Sequence, residues 1–430
     1  MKLFNNLNST EFINEIKKNS LPFNIIFIAT LILPFSLYLG PAVIEVLVFL
    51  ISISYLCLII NKKDKIFYNR IIIFFFIFYI SLIASSFFSN FVLISLKSSV
   101  FYIRFALLTF AVVYIAKRSN LFIRFFFASA FLCIAFALMS GLYQFFLSED
   151  HWIISEIVNN KSSAKNTVVT GFFGEEKKLG SFIARFSPLI LGLYFFVSKK
   201  EINKKINISI VSFIPLYLIN FLTAERMGMI YLSITLFFLF ILSVKNEKKN
   251  IYKFFIFIII PFLLFFAKIN EFHLTVQNSY NQLFNEGKIN YFSKQHKVFA
   301  VTSLELFKKN PILGVGPNNY RRECETVKLE KLENNCSTHP HNILFQIIAE
   351  TGTLGILFYL TLNLFFFLKI TKFILAKKYE EIELFLLLPI FYYMNPFFPS
   401  GNFFNNWYTT IGLISLPFYI YILNKKNSEK

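Results

Sequence analysis

Long apolar runs recur from one end of the sequence to the other, and they constrain its fold more than any other feature. The runs hold roughly 15–26 residues, close to the length that an α-helix needs to cross the hydrocarbon core of a bilayer. Hydrophobic residues make up 56% of the chain, and phenylalanine alone contributes 60 of its 430 residues. The sequence therefore predicts an all-α integral membrane protein. The twelve predicted spans are residues 21–39, 42–60, 70–88, 93–116, 121–146, 180–198, 206–223, 229–244, 251–267, 343–368, 382–396 and 408–424.

The positions of the basic residues predict the orientation of these spans. A net charge of +19 is compatible with nucleic-acid binding, but the charges are not gathered on one polar segment. The short turns near residues 40, 90 and 400 contain no Lys or Arg. Basic residues concentrate in the alternate turns and near the C-terminus, as the positive-inside rule describes. We therefore expect both termini in the cytoplasm and no nucleic-acid partner. The basic positions include Lys62, Lys63, Lys65, Lys117, Arg118, Lys199, Lys200, Lys204, Lys205, Lys245, Lys248, Lys249, Lys425 and Lys426.

This topology divides the chain into three regions. Residues 1–267 carry the first nine spans and a smaller periplasmic loop at 148–179. A large periplasmic loop, predicted to contain short helices, covers 268–342, and residues 343–430 hold the last three spans and a cytoplasmic tail. The first span follows a polar segment of about twenty residues and leads at once into the second, so we expect it to be retained rather than cleaved as a signal peptide.

Every histidine of the sequence falls in the two predicted periplasmic loops, so soluble chemistry is expected on the outer face. Two of them flank a single proline in the stretch "CSTHPHN", residues 336–342. The five are His151, His273, His296, His339 and His341.

The cysteines separate into two pairs with different settings. Cys57 and Cys133 lie inside apolar spans, whereas Cys324 and Cys336 lie in the long loop, twelve positions apart. In an oxidising compartment, a bridge between the loop cysteines would stabilise the chain by about 3 kcal/mol. Zinc held by these cysteines with the two histidines of "CSTHPHN" is the alternative, although no CxxC or HxxxH spacing is present.

His341 is predicted to occupy the first turn of a membrane helix that begins at Pro340, because proline is favoured at the first helical position. The positive end of that helix would keep the imidazole neutral and able to accept a proton. Its free backbone amides would attract an anion such as a phosphate. The alternative is a histidine that only caps the helix at the interface.

Several cations lie where the membrane makes them costly. Lys97 and Arg104 are seven residues apart in the fourth span, Arg185 lies about one turn inside the sixth, and Arg226 follows the seventh in "LTAERMGM". Such residues face polar partners or a cavity. Their number exceeds that of the nearby carboxylates, Glu45, Glu225 and Glu350. A bound lipid pyrophosphate explains this excess, and internal salt bridges with snorkelling are the alternative.

Acidic residues are too sparse for the usual metal cradle. The chain has two aspartates, Asp64 and Asp150, and neither a DxD nor a DDxxD motif. What remains is a base, several arginines and no expected metal or other cofactor. That combination suits glycosyl transfer from a lipid diphosphate, in which histidine deprotonates the acceptor hydroxyl and arginines stabilise the departing diphosphate.

Three stretches resemble the O-antigen ligase and O-antigen polymerase superfamily of bacterial envelope proteins. The most specific lies at 310–355, where a Pro-x-x-Gly-x-Gly turn in "NPILGVGPNNYRREC" precedes "CSTHPHNILFQIIAETGTLG", with ten residues between His341 and Gly352. The others are "TGFFGEEKKLGSF" at 170–182 and "TAERMG" at 223–228.

The resemblance implies roles for individual residues. His341 resembles the catalytic histidine of the family, and Arg226 its first diphosphate-binding arginine. The place of a second family arginine holds His296 instead, so Arg321 or Arg322 is expected to supply that charge, with Arg321 preferred. The remaining candidates are Arg185 for the diphosphate, and His339, His296 and Glu350 for substrate contacts.

The implied activity is that of a ligase in the bacterial inner membrane, with its active site facing the periplasm. It would move a glycan from undecaprenyl diphosphate to a sugar of lipid A–core. A polymerase, whose acceptor is a growing glycan, and a protein-glycosylating relative are alternatives within the superfamily. A lipid-linked glycan flippase is the alternative from another class, although transporters gather polar groups near the bilayer midplane.

Overall fold

The computed structural model of the chain describes residues 9–62, 70–147, 168–266, 270–285, 288–289, 293–327, 336–375 and 381–428. The prediction of an all-α membrane protein is confirmed. Strands in the described part of the chain are limited to two residues each, β1 (Phe284–Asn285) and β2 (Lys288–Ile289). The α-helices are α1 (Ser9–Lys18), α2 (Leu21–Leu39), α3 (Pro41–Lys62), α4 (Arg70–Phe87), α5 (Val92–Val100), α6 (Ile103–Arg118), α7 (Asn120–Leu147), α8 (Leu179–Val197), α9 (Ile202–Leu222), α10 (Arg226–Asn246), α11 (Ile256–Phe266), α12 (Asn270–Leu283), α13 (Lys294–Lys309), α14 (Tyr320–Glu323), α15 (Ile343–Leu375), α16 (Glu381–Tyr393), α17 (Asn406–Leu413) and α18 (Leu416–Ser428).

Eight helical segments of the described chain are long and apolar enough to cross a membrane. The predicted third and ninth spans correspond to shorter apolar helices, Ile73–Phe87 and Asn250–Pro261. The predicted twelfth span is divided between α17 and α18. The count of twelve therefore stays a prediction. Most of the smaller predicted loop, residues 148–167, and with it His151, lies outside the described residues.

The predicted fourth span is interrupted. Its two helices, α5 and α6, are separated by Phe101 and Tyr102, where the backbone forms tighter bonds such as Tyr102 N–H to Ser99 O at 3.1 Å. Lys97 therefore lies on α5 and Arg104 on α6. Arg104 donates to Oδ1 of Asn406, and Nδ2 of Asn406 donates to Glu45 at 2.8 Å.

The chain forms two compact units, each built from separate segments. The first unit contains Met1–Phe12, Asn120–Gly287 and Lys372–Pro389, and its centre is the packed set of helices α7 to α10. The second contains Ile13–Ser119, Lys288–Thr371 and Ile390–Lys430. In this unit α2 and α3 pack as a helical hairpin, and α6 packs against both of them and α18.

Within the second unit, helix α15 breaks at Gly352, whose φ of 60° and ψ of −155° lie outside the helical region. The turn 311–316 docks where the break leaves carbonyl groups without helical partners. The amides of Val315 and Gly316 donate to the carbonyls of Ala349 (2.9 Å) and Glu350 (3.0 Å). These bonds explain why the Pro-x-x-Gly-x-Gly turn and the later glycine occur together, since the turn supplies donors that the broken helix lacks.

Glycine at 352 is required by space as well as by backbone conformation. A β-carbon there would lie 2.5 Å from the carbonyl oxygen of Ile312 and 2.6 Å from the amide nitrogen of Gly314. Both atoms belong to the backbone of the docked turn, so neither can rotate away.

We expect Gly352→Ala to lower the thermal unfolding temperature of the full chain in detergent more than Gly174→Ala does. Gly174 has a similar φ of +62°, but nothing lies within 4 Å of its added β-carbon. Gly174→Ala, the control, should therefore lose only the free energy of the strained backbone, about 1–2 kcal/mol. Gly352→Ala adds the displacement of the turn, about 1–3 kcal/mol more. Equal losses in the two variants would contradict the docking interpretation.

Candidate active site

Three histidine rings meet in the second unit. The ring centroid of His341 lies 4.2 Å from that of His339 and 5.9 Å from that of His296. The ring of Phe299 stacks on His341 at 5.5 Å, with 29° between the planes. Helix α13 presents His296 and Phe299 on one face because they are three residues apart. Ser293 caps the start of this helix, since its hydroxyl accepts the amide of His296 at 3.2 Å.

His341 lies before helix α15 rather than in its first turn, so that prediction is wrong. Its φ is 54°, in the left-handed region, and the helix begins at Ile343. Asn342 acts as the cap, since its Oδ1 accepts the amide of Phe345 at 3.2 Å. The physical reason lies in a distant segment, where the amide of Ser400 donates to the carbonyl of His341 at 2.8 Å.

The left-handed backbone at His341 costs about 1–3 kcal/mol and persists only where surrounding contacts fix it. Besides the bond from Ser400, the neighbouring Asn342 donates its Nδ2 to the carbonyl of Pro396 at 3.0 Å. The segment between α16 and α17 thus holds residues 336–342, called the histidine segment, on one side. Sequence reasoning missed Ser400, although the Gly/Pro-containing stretch "NPFFPSGN" at 395–402 marks a turn there.

The environment keeps all three histidines neutral near pH 7. Burial lowers the pKa of His341, and the nearby His296 lowers it further. Burial also lowers the pKa of His339, to about 4, with added effects of His341 and of the charge on Arg321. Burial lowers the pKa of His296 as well. A neutral imidazole is the form that accepts a proton.

Hydrogen bonds orient two of these rings. The Nε2 of His341 lies 3.2 Å from the hydroxyl of Ser337. The Nε2 of His339 lies 3.3 Å from the carbonyl of Ser400, while its Nδ1 lies 3.0 Å from the hydroxyl of Thr338. Because a carbonyl only accepts, Nε2 of His339 carries its proton and Nδ1 accepts from Thr338. His341 is the more exposed of the two rings.

Arg321 and Arg322 lie on the four-residue helix α14, and both are exposed. Arg321 donates to Oδ1 of Asn318 at 2.8 Å, and its charge reaches His339. The disulfide between Cys324 and Cys336 follows directly, with a Cα–Cα distance of 5.2 Å. This bridge connects the segment 320–324, called the arginine segment because it carries Arg321 and Arg322, to the start of the histidine segment. It also engages the two thiols that the zinc alternative requires.

Glu350 is fully buried and engaged by protein donors. Its Oε1 accepts the amide of Tyr320 at 2.9 Å, and its Oε2 accepts from Gln346 at 3.0 Å. The same Gln346 also donates to Asn402 at 2.9 Å. The carboxylate therefore fixes the start of helix α14, which carries the two arginines.

In the first unit, Arg226 is the first residue of α10 and is exposed. Its Nη1 donates to Oε1 of Gln282 at 2.6 Å. The preceding Glu225 accepts the amides of Gly180 (2.7 Å) and Ser181 (3.0 Å) at the start of α8. The stretches "TGFFGEEKKLGSF" and "TAERMG" are therefore joined, with the carboxylate of Glu225 at the positive end of a helix.

Arg185 lies deeper in the same unit. Only 4% of its surface is exposed, and its guanidinium lies 4.9 Å from the ring centroid of Tyr231. Burial raises the pKa of Glu225, while the amides of Gly180 and Ser181 and the charge of Arg185 oppose that rise. Arg226, not Arg185, is the arginine that faces solvent here.

Metal ligation finds no support in the described residues. They contain no group of three or more His, Cys, Asp or Glu side chains placed to hold a metal ion.

Residues 210–360 match the model of a protein family described as O-antigen ligase. The matched segment includes Arg226, His296, Arg321, His341 and Gly352. The resemblance to the O-antigen ligase superfamily is confirmed by this match, which supports, at a general level, a glycosyltransferase-type enzyme of the ligase or polymerase kind in a multi-pass membrane protein. No curated protein matches the chain.

We expect His339→Gln to weaken the pH dependence of unfolding below pH 6.5. The pKa of this histidine is about 4 in the fold against an ordinary 6.5, so the unfolded chain binds more protons between these values. Stability is therefore full above pH 6.5 and falls as the pH drops towards 4, by up to about 3 kcal/mol. Glutamine takes up no proton, so the variant should lose less on acidification.

Denaturant unfolding in detergent at pH 8 and pH 5 measures this difference. His296→Gln is the matched control and should have a smaller effect, because that ring is only half-buried. Parallel losses in the wild type and His339→Gln would exclude a large contribution from this ring.

Proposed function

We propose that the protein is an O-antigen ligase-like transferase at the periplasmic face of the bacterial inner membrane. It transfers a glycan from undecaprenyl diphosphate to a sugar hydroxyl of lipid A–core. The observation that carries this proposal is the neutral, half-buried imidazole of His341, held in a left-handed backbone conformation in the same unit as Arg321. The match to the O-antigen ligase family supports the reaction class.

In the proposed reaction, His341 acts as the general base. Its unprotonated nitrogen takes the proton of the acceptor hydroxyl as that oxygen attacks the anomeric carbon of the donor. The new glycosidic C–O bond forms while the bond from the anomeric carbon to the diphosphate breaks, and the diphosphate leaves with the bonding electrons. The hydroxyl of Ser337, 3.2 Å from Nε2 of His341, shows that a hydroxyl fits beside this ring.

Arginines supply the positive charge that the departing diphosphate needs. Arg321 is proposed for this role because Asn318 orients it and its charge acts on His339, the immediate neighbour of His341. Arg226 is proposed as a further diphosphate ligand, since it is exposed and donates to the neutral amide of Gln282. Arg322 and Arg185 are secondary candidates for the diphosphate. No metal or other cofactor is required by this scheme.

The ring of Phe299 and the ring of His339 restrict the orientation of His341 from two sides. A base that is already oriented loses little entropy when the acceptor arrives. His296 and His339 lie beside His341 and are proposed as substrate contacts.

We expect His341→Ala to lower glycan transfer by about 10²–10⁴-fold in purified, reconstituted protein, because the acceptor loses its base. The measurement is transfer from a defined undecaprenyl-diphosphate glycan to lipid A–core, with EDTA present. Lys308→Ala is the control, an exposed residue on α13 paired with Glu305 at 2.6 Å. Unchanged transfer by His341→Ala would remove the catalytic proposal and favour a flippase or a non-enzymatic role.

The adjacent arginines of α14 provide a matched pair. We expect Arg321→Ala to lower the rate by about 10²-fold or more, as loss of a charge-stabilising donor does, and Arg322→Ala to have a much smaller effect. Single-turnover kinetics with saturating donor separates this loss from weaker donor binding. A larger effect at Arg322 would reverse the assignment while leaving the base proposal intact.

A cellular assay separates the ligase from the polymerase. Deletion of a ligase removes all polysaccharide from lipid A–core while carrier-linked chains remain. Deletion of a polymerase leaves single repeat units attached to the core. The second outcome would reassign the acceptor to a growing glycan, with the same base and the same leaving group.

A further inference from the structure

A lengthwise groove lies within the first unit, between helices α7, α8 and α9. Its volume is about 480 Å³, within the range of small-ligand pockets. The walls are mainly apolar, and they include Phe127, Phe131, Ile134, Leu191, Ile208 and Leu216. The one charged lining residue is Lys200, at the end where α8 leads into α9.

Hydroxyl groups on the groove wall do not make it polar. Ser209 and Ser212 both line the groove, but each hydroxyl donates to a carbonyl of its own helix, at 2.9 Å and 2.8 Å. A sugar or a nucleotide would find few free partners along these walls. An alkyl chain needs none, so the lining fits a lipid chain.

The groove also has the length of one bilayer leaflet. On α7 its lining residues extend from Phe127 to Leu138, a rise of about 16 Å along the helix. Half of a hydrocarbon core is about 15 Å thick. The groove is therefore about as long as one leaflet is thick, and Lys200 lines it where α8 leads into α9.

The charge at the Lys200 end of the groove indicates which lipid headgroup fits there. Lys200 is exposed and makes no ion pair with the described residues. Its neighbour Lys199 is likewise exposed and makes none with them. Lys204 instead pairs with Glu201 at 3.4 Å, and Lys205 donates to the carbonyl of Phe195 at 2.8 Å. The end of the groove therefore carries uncompensated positive charge next to an apolar channel, which is complementary to an anionic lipid.

We propose that this groove binds one acyl chain of an anionic phospholipid, with the phosphate of its headgroup at Lys200. The proposal does not depend on the transferase activity. A polyprenyl chain is a weaker fit, since the diphosphate of the proposed donor belongs at the opposite, periplasmic face, whereas the charged end of the groove lies at the lysine-rich turn 198–201.

Native mass spectrometry of the full chain in detergent tests this assignment. The probes are phosphatidylglycerol and phosphatidylcholine with identical acyl chains. We expect the wild type to retain phosphatidylglycerol preferentially, and Lys200→Ala to lower its affinity about fivefold, as expected for one lysine near an anionic headgroup. Lys204→Ala is the matched control, and its effect should stay below about twofold because Glu201 already pairs with it.

A second pair of variants tests the channel itself. Ser212→Phe places a ring in the groove from an exposed helix position and should abolish preferential retention, whereas Ser212→Ala should leave it unchanged. Circular dichroism and the thermal unfolding temperature verify that both fold. Equal effects of Lys200→Ala and Lys204→Ala, or retention by Ser212→Phe, would overturn the proposal. Displacement of phosphatidylglycerol by equimolar undecaprenyl phosphate in the wild type would overturn the occupant and assign the groove to the carrier.

Discussion

The break in helix α15 at Gly352 is the constraint on which the candidate site depends. An unbroken helix would satisfy the carbonyls of Ala349 and Glu350 internally, and the amides of Val315 and Gly316 would have no acceptor there. The docked turn leads into the short helix that carries Arg321, and the side chain of Glu350 fixes the start of that helix. One irregularity in a membrane helix thus fixes the place of an arginine relative to the histidines of the same unit.

His341 is placed by a different kind of contact. His341 does not owe its neutral state to a position within a helix, as its sequence context indicates, but mainly to burial among aromatic rings. Its backbone is held by Ser400, which is 59 residues away in the sequence. The residue is thereby oriented by a backbone bond, which does not change with the protonation state of its ring, and by contacts with neighbouring rings.

Patterns within one segment of the sequence predicted the structural features that depend on that segment alone. The apolar runs predicted the helical membrane class, because the length of an apolar run is a property of one continuous segment. The break between α5 and α6 was missed, since the apolar pattern continues through Phe101 and Tyr102. The left-handed backbone of His341 was missed for a related reason. It depends on Ser400, and no periodicity in one segment encodes a bond to another.

The bridge between Cys324 and Cys336 has a consequence that depends on the compartment. The bridge joins the segment that carries Arg321 to the segment that carries His339 and His341, so it shortens the tether between the two. Such a bond forms and persists in an oxidising compartment. In a reducing compartment the same two segments would be connected only by the longer chain between them.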